Sequence, residues 1–260
     1  MSLTVIITTK NEEVNIKRAI TSADFADEIL VIDDYSTDQT AQIAEQAGAT
    51  VIKNSWKGYG QQKNSGIKHA SGDWLFFLDA DEEISKQLKQ EILATINNPA
   101  YTVYWVRVID IFLGKPLNHL TGNNPRLVKR VVAQWTERPV HEQVQLNNCN
   151  TPITLGDTHS GRLNAHIIHH SHSSIRSYLK KMHRYTSLDA RQMRESGTHR
   201  SGKKVSPSFI LPLYLALRQL VKLWLYRGGI KDGYAGTVWS LLSAYYEWEM
   251  GKKYLKLAQP

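Results

Sequence analysis

Residues 76–83 read FFLDADEE, so that Asp79, Asp81, Glu82 and Glu83 follow an apolar run within five positions. Like charges at this spacing repel, and a folded chain gathers them at a cost. A second pair, Asp33 and Asp34, closes the apolar stretch DEILVIDD at 27–34. Such a cluster can be solvated surface, a general acid–base pair or a divalent-cation site. On an extended chain Asp79 and Asp81 share one side, because side chains alternate with a period of two. Two oxygen ligands aimed the same way suit Mg²⁺ or Mn²⁺, which take carboxylates together with substrate phosphates. The cation would also relieve the repulsion. The earlier acid pair favours this cation–phosphate reading over solvated surface.

The elements that must position these acids follow from the hydrophobic pattern. LTVIITT (3–9), DEILVIDD (27–34), TVIKN (50–54) and DWLFFLDAD (73–81) read as buried strands. Between them lie KNEEVNIKRAITSA, with Val14, Ile16 and Ala19/Ile20 at helical spacing, and STDQTAQIAEQAGA, with a Ser or Thr N-cap, Asp38 in its first turn and an end near Gly48. YGQQKNSGIKHASG (59–72) reads as loop and helix, and SKQLKQEILATINN (85–98) as a helix. This alternation predicts an α/β fold, a mostly parallel sheet with helices on both faces. Ligands of such sheets bind at the carboxyl ends of the strands. Thr8, Thr9, Asp33, Asp34, Asp79 and Asp81 all sit there. No G-x-G-x-x-G or G-x-x-x-x-G-K-[ST] is present; GYGQQK at 58–63 lacks the third glycine. Phosphates are therefore expected to be held by metal and side chains.

Beyond residue 100 short strands are expected in YTVYWVRVIDIFLGKPL, RLVKRVVAQW, HEQVQL and RLNAHIIHH. A helix follows with Ile175, Tyr178/Leu179, Met182, Tyr185 and Leu188 on one face, then a basic loop at 197–208 expected to be mobile, then two helices around YRGGIKDGYAG. Residues 1–100 hold 9 Lys/Arg and 15 Asp/Glu, a balance of −6; residues 101–260 hold 23 and 9, a balance of +14. The basic part should face something anionic: phosphate, a membrane surface or nucleic acid. The single Cys149 excludes an internal disulfide and a cysteine-built zinc site. MSLTVIITTKNEE has no basic n-region or cleavage site, so no signal peptide is expected. FILPLYLALRQLVKLWLY (209–226) is interrupted by Pro212, Arg218, Gln219 and Lys222 and makes a poor bilayer span.

TTKNEEVNIKRAI, VIDDYSTDQT and QQKNSGIKHASGDWLFFLDADEE together resemble family 2 glycosyltransferases with the nucleotide-diphosphosugar-binding GT-A fold. NPRLVKR, RPVHEQV, IIHHSHSSIRSYLKKMHRYTSLDA and GGIKDGYAGTVWSLLSAYYEWEMGKKYLKL look like its WaaE-like branch, lipopolysaccharide inner-core glucosyltransferases. Lys63 stands where many relatives have Arg, and His170 where Tyr is expected. The resemblance implies that Thr8, Asn11 and Glu12 line a nucleoside pocket and that Asp34, or Asp33 beside it, hydrogen-bonds the base. It places Lys63 and Asn64 near ribose or sugar. Asp79 and Asp81 would hold nucleotide and Mg²⁺ or Mn²⁺, Asp81 as the more direct ligand. Arg126 and His169 or His170 would lie near the pyrophosphate. For inverting transfer it points to Glu142 as the base, with His141 as runner-up.

The implied donor is UDP-glucose and the implied acceptor a heptose of the lipopolysaccharide core. Another polysaccharide or polyprenyl phosphate is the runner-up acceptor, and a basic nucleic-acid-binding protein a remote alternative for which no binding module is found. The expected organisation is a nucleotide-sugar half at 1–100, an acceptor-side half at 101–172 and a basic, amphipathic helical extension at 173–260. Residues 176–256 combine cations with aromatic and aliphatic stripes, as does a helix lying on anionic lipid or an ordinary helical subdomain. The expected location is cytoplasmic, peripheral on the inner face of the cytoplasmic membrane.

Overall fold

The computed structural model describes residues 1–136, 143–145, 152–172 and 174–258. In chain order the elements are β1 (Leu3–Thr9), α1 (Ile16–Ser22), β2 (Glu28–Asp33), α2 (Thr40–Gln46), β3 (Thr50–Lys53), α3 (Tyr59–His69), β4 (Trp74–Asp79), β5 (Glu82–Ile84), α4 (Lys86–Asn97), β6 (Val103–Phe112), β7 (Lys115–Pro116), β8 (Gly122–Lys129), β9 (Gln134–Trp135), β10 (Val144–Gln145), β11 (Ser160–His172), α5 (Ile175–Ser196), α6 (Leu211–Val221) and α7 (Gly233–Ala258). They form two compact units: Met1–Ile109 with Gly122–His169, and Asp110–Thr121 with His170–Pro260.

The first unit is built on a sheet of order β3-β2-β1-β4-β8-β6-β11-β5. β3, β2, β1 and β4 run parallel. β8 joins β4 antiparallel, β6 joins β8 antiparallel, and β5 pairs antiparallel with β11. Both faces of the parallel part are buried, which is why its strands read as unbroken apolar runs. On β4, Trp74, Phe76 and Leu78 enter one core with Leu3, Val5 and Ile7 of β1 and with residues of α1, α2 and α4. Leu75 and Phe77 face the other way, into a core with Ile6 and with Ile67 of α3. α3 approaches the sheet closely at Gly66, where a Cβ would stand 2.5 Å from Cγ2 of Ile6.

Several expected boundaries shift. α1 begins at Ile16, and Val14 is exposed, because residues 11–15 are spent on the turn after β1. α2 begins only at Thr40, and Asp38 lies ahead of it, accepting from the Thr40 N–H (3.0 Å) and hydroxyl (2.5 Å). β4 ends at Asp79, and Ala80 and Asp81 form a turn into β5. The period-two argument for Asp79 and Asp81 therefore does not apply, since the chain is not extended between them.

The second unit is mainly helical and includes a hairpin in which Ile111 and Phe112 pair with Pro116 and Lys115. α5, α6 and α7 pack around Ala190, Met193, Leu215, Met250 and Tyr254. Leu188, expected on the inner face of α5, is exposed, while Thr186 and Asp189 are buried there. The reason is polar: Tyr246 donates to Asp189 (2.6 Å) and Lys253 to Thr186 (2.7 Å). The first half of the basic loop at 197–208 is tied to α7 and to itself. His199 is buried and its Nε2 meets Glu247 at 2.9 Å, Arg200 donates to the same carboxylate at 2.6 Å, and the His199 N–H donates to the Lys203 carbonyl at 2.8 Å.

Candidate active site

The carboxyl ends of β1, β2 and β4 lie side by side because the strands are parallel and in register, with Thr8 opposite Asp79 and Thr9 opposite Asp33. The turns leaving β1 and β2 are stitched together. The Asn11 N–H donates to the Ser36 hydroxyl and the Thr37 N–H to the Asn11 side-chain oxygen, both at 2.8 Å. Asn11 and Tyr35 hold φ of +53° and +48°, the left-handed region that Asn tolerates and Tyr seldom adopts. Glu12 accepts from the Asn15 amide at 2.7 Å.

The acid pair of β2 divides. Asp33 is fully buried and accepts from the Ser36 N–H and hydroxyl, at 3.0 and 2.5 Å. Asp34 accepts from the Trp56 N–H at 2.9 Å and pairs with Lys10 at 2.5 Å. On α3, Lys63 is buried with its ammonium 4.2 Å from the centre of the Trp135 ring. Asn64 beside it exchanges two hydrogen bonds with the Trp135 backbone, each 2.8 Å, tying α3 to β9.

Asp79 accepts from the Thr8 hydroxyl at 3.2 Å. Arg126, on β8, is 4% exposed; its guanidinium lies 2.5 Å from Glu82 and 3.4 Å from Asp79, and it also donates to the Phe77 carbonyl at 3.3 Å. Glu82 in turn accepts from the Asp79 N–H at 2.9 Å. Burial alone would raise the Asp79 carboxyl, but the charges of Arg126, Lys63 and His169 and the Thr8 hydroxyl outweigh it and hold the group at about 2. For Glu82 burial wins: with the Asp79 charge it pushes the carboxyl up to about 7, against Arg126, His169 and the Asp79 N–H. Asp79 therefore stays ionised and Glu82 keeps its proton more firmly. His169 arrives on β11, opposite Glu82 in the ladder, and its Nε2 stands 3.3 Å from Asp81.

Thr8, Asp34, Lys63, Asp79, Asp81, Arg126 and His169 thus gather in the first unit, at or beside these strand ends. Glu142 and His141 lie outside the described residues, and His170 falls in the second unit. Sequence reasoning gave Glu82 no role beyond the acidic run, although it is the closest partner of Arg126. Lys10 and Trp135 were also missed. Lys10 was recoverable as the first cation after a strand end; nothing in the sequence marks Trp135.

Asp79 and Asp81 offer hard oxygen donors, with side chains 37% and 19% exposed. Among the described residues no group of three His, Cys, Asp or Glu side chains is placed to hold a metal. Two carboxylates without a third suit Mg²⁺ or Mn²⁺ bound jointly with phosphate and water, and do not suit a closed protein cage.

Residues 4–182 match the model of the family described as glycosyl transferase family 2. An uncharacterized glycosyltransferase of Rickettsia typhi is 29% identical, covering 99% of this chain and 86% of its own length. The lipopolysaccharide core biosynthesis glycosyltransferase LpsC of Rhizobium meliloti is 27% identical, covering 94% of this chain and 91% of its own. The crystal structure of Staphylococcus aureus TarS has a TM-score of 0.50 at 16% identity, covering 94% of this chain and 55% of that one, and supports the GT-A type of fold. With the family model spanning residues 4–182 and the acids placed as above, the chain belongs to glycosyltransferase family 2.

Proposed function

We propose that the protein transfers a sugar, with inversion, from a nucleoside diphosphosugar to a glycan acceptor, and that Asp79 and Asp81 bind a divalent cation together with the donor's diphosphate. UDP-glucose is the proposed donor and a heptose of the lipopolysaccharide core the proposed acceptor. The likeness to LpsC favours a core acceptor over polyprenyl phosphate. The observation that carries the reading is the convergence of two partly buried carboxylates with Lys63, Arg126 and His169 at the ends of parallel strands in a family 2 chain. The proposed working location is the cytoplasmic face of a membrane that holds the acceptor.

In this reading Thr8, Asn11 and Glu12 border the nucleoside, and Asp34 accepts the imide N–H of the base. Lys63, Arg126 and His169 meet the negative charge that grows on the leaving diphosphate. A bound Mg²⁺ or Mn²⁺ supplies Lewis-acid stabilisation of that same group. Glu142 takes the proton of the acceptor hydroxyl as its oxygen attacks the anomeric carbon. The bond from that carbon to the diphosphate breaks, and its electron pair leaves with the diphosphate. The proposed division of the chain puts the nucleoside contacts in residues 1–100 and the acceptor contacts in 101–172, from which Arg126 and His169 also reach the donor's diphosphate, with 173–260 as the helical extension.

Calorimetry of UDP with and without Mn²⁺ tests the cation site: binding should strengthen with Mn²⁺, and Asp81→Asn should abolish the difference. UDP binding indifferent to Mn²⁺ in the unaltered protein would remove Asp79 and Asp81 from this role. Glu142→Gln should keep UDP affinity and lose transfer; near-normal turnover would exclude Glu142 as the base.

A further inference from the structure

The helices of the second unit leave a long apolar face on α6 uncovered. α6 buries Pro212 and Leu215 against α7, where Gly251 lets the two backbones meet: a Cβ there would stand 2.8 Å from the Cα of Pro212. On the opposite side of α6 and along the π-helical turn Lys222–Tyr226 that prolongs it, Leu213, Tyr214, Leu217, Val221 and Leu225 all face solvent. Phe209 and Tyr226 flank the stripe at 86% and 84% exposure. The spacing of three and four residues sets these side chains on one face. Soluble monomers scatter exposed apolar residues singly and seldom align them over four turns.

The surrounding charge says what covers this face. Residues 196–231 contain seven Lys/Arg (Arg200, Lys203, Lys204, Arg218, Lys222, Arg227 and Lys231) and no Asp or Glu. An apolar stripe whose own segment carries cations and no acid complements a surface that is greasy inside and anionic outside. A second copy of the chain is a poor occupant. A two-fold contact through this face would bring together two copies of a segment that carries cations and no acid to offset them. No described helix is long and apolar enough to cross a membrane, so α6 would lie in the plane of the interface, not through it.

We propose that α6 and the turn after it form an in-plane docking face for an anionic lipid bilayer, with the apolar stripe entering the acyl boundary and the cations meeting lipid phosphates. This names the attachment surface for the membrane-side placement proposed above and rests on that placement, though not on the chemistry of transfer.

Flotation of the full chain with vesicles of phosphatidylcholine alone and with 30% phosphatidylglycerol, about equal in size, is the test. The protein should float with the anionic vesicles and at least ten-fold less with the neutral ones. Leu213→Glu/Leu217→Glu, at exposed positions, should lower the bound fraction at least ten-fold while UDP affinity and the thermal midpoint stay unchanged. Arg218→Gln/Lys222→Gln should weaken binding less and flatten its dependence on salt. Equal flotation of the Leu213→Glu/Leu217→Glu variant and the parent would overturn the proposal. So would light scattering that shows a dimer in the parent, a monomer in that variant and no flotation of either. Loss of UDP binding in the parent protein, with flotation intact, would instead count against the glycosyl-transfer reading alone.

Discussion

Replacing Arg126 with Met removes the guanidinium that two carboxylates share and keeps most of the side-chain volume. The two contacts differ in worth. Arg126 and Glu82 are 4% and 2% exposed and 2.5 Å apart, so their attraction is little screened. The Asp79 carboxylate is 37% exposed and 3.4 Å away, so its share is discounted for solvent. Breaking a buried pair by deleting one partner costs about 3–5 kcal/mol, because the remaining charge is left desolvated. Glu82, already pushed up to about 7, can take a proton once the guanidinium is gone. That escape places the expected loss at the lower end, about 3 kcal/mol. With a urea m-value of roughly 3 kcal/mol/M, the unfolding midpoint should fall by about 1 M. The double variant Arg126→Met/Glu82→Gln leaves neither charge behind and should recover about 2 kcal/mol of that loss as coupling energy. A single-variant cost below about 1 kcal/mol, or additivity within about 0.5 kcal/mol, would refute the buried pair as an energetic unit.

Two further outcomes follow from packing and linkage. Gly66→Ala puts a methyl group 2.5 Å from Cγ2 of Ile6 and should cost about 1–3 kcal/mol in thermal unfolding, since neither α3 nor β1 can yield without disturbing the sheet. In the second unit burial would raise the Glu247 carboxyl, but hydrogen bonds and charge from His199 and Arg200 lower it below its ordinary 4.5. A carboxyl depressed in the folded state stabilises above its unfolded value, and that stability is lost as pH falls through the folded value. Urea unfolding at pH 7 and pH 4 should therefore show a smaller acid loss in Glu247→Gln than in the parent.

The first hundred residues were readable because both faces of β1, β2 and β4 are buried. An unbroken apolar run such as WLFFL can only be a central strand when helical segments alternate with it. The strand ends were legible for the same reason: polar residues that terminate such runs share one edge of the sheet. What could not be read was the local turn at Ala80–Asp81, which depends on β5 pairing with β11, a strand some eighty residues further on. Hydrophobic period also misjudged α5, because Thr186 and Asp189 are buried through hydrogen bonds to α7 while Leu188 is left outside. The loop at 197–208 has the composition of a mobile segment. Its anchor, Glu247, lies nearly fifty positions away and carries no local mark in the sequence.

Asp79 and Asp81 end in different electrostatic settings, and the difference bears on what can bind. Asp79 and Asp81 contribute two negative charges, Lys63 and Arg126 two positive ones, and Glu82 a fraction of one negative charge. The strand-end site is therefore close to neutral or slightly acidic as it stands. A nucleoside diphosphosugar brings about two more negative charges, and Arg126 is already engaged by two carboxylates while Lys63 lies over the Trp135 ring. Held only by these side chains, the diphosphate would be undercompensated in a partly buried site, where unbalanced charge is costly. In the proposed reading a divalent cation at Asp81 would restore the balance in one step, whereas a monovalent one would leave half the deficit. On that reading Asp79, which contacts Thr8 and Arg126, would orient the site, and Asp81, with one histidine beside it, would exchange that partner for the metal. The charge count supports the proposed doubly charged ion, and Na⁺ or K⁺ substituting fully for Mn²⁺ in UDP binding would contradict it.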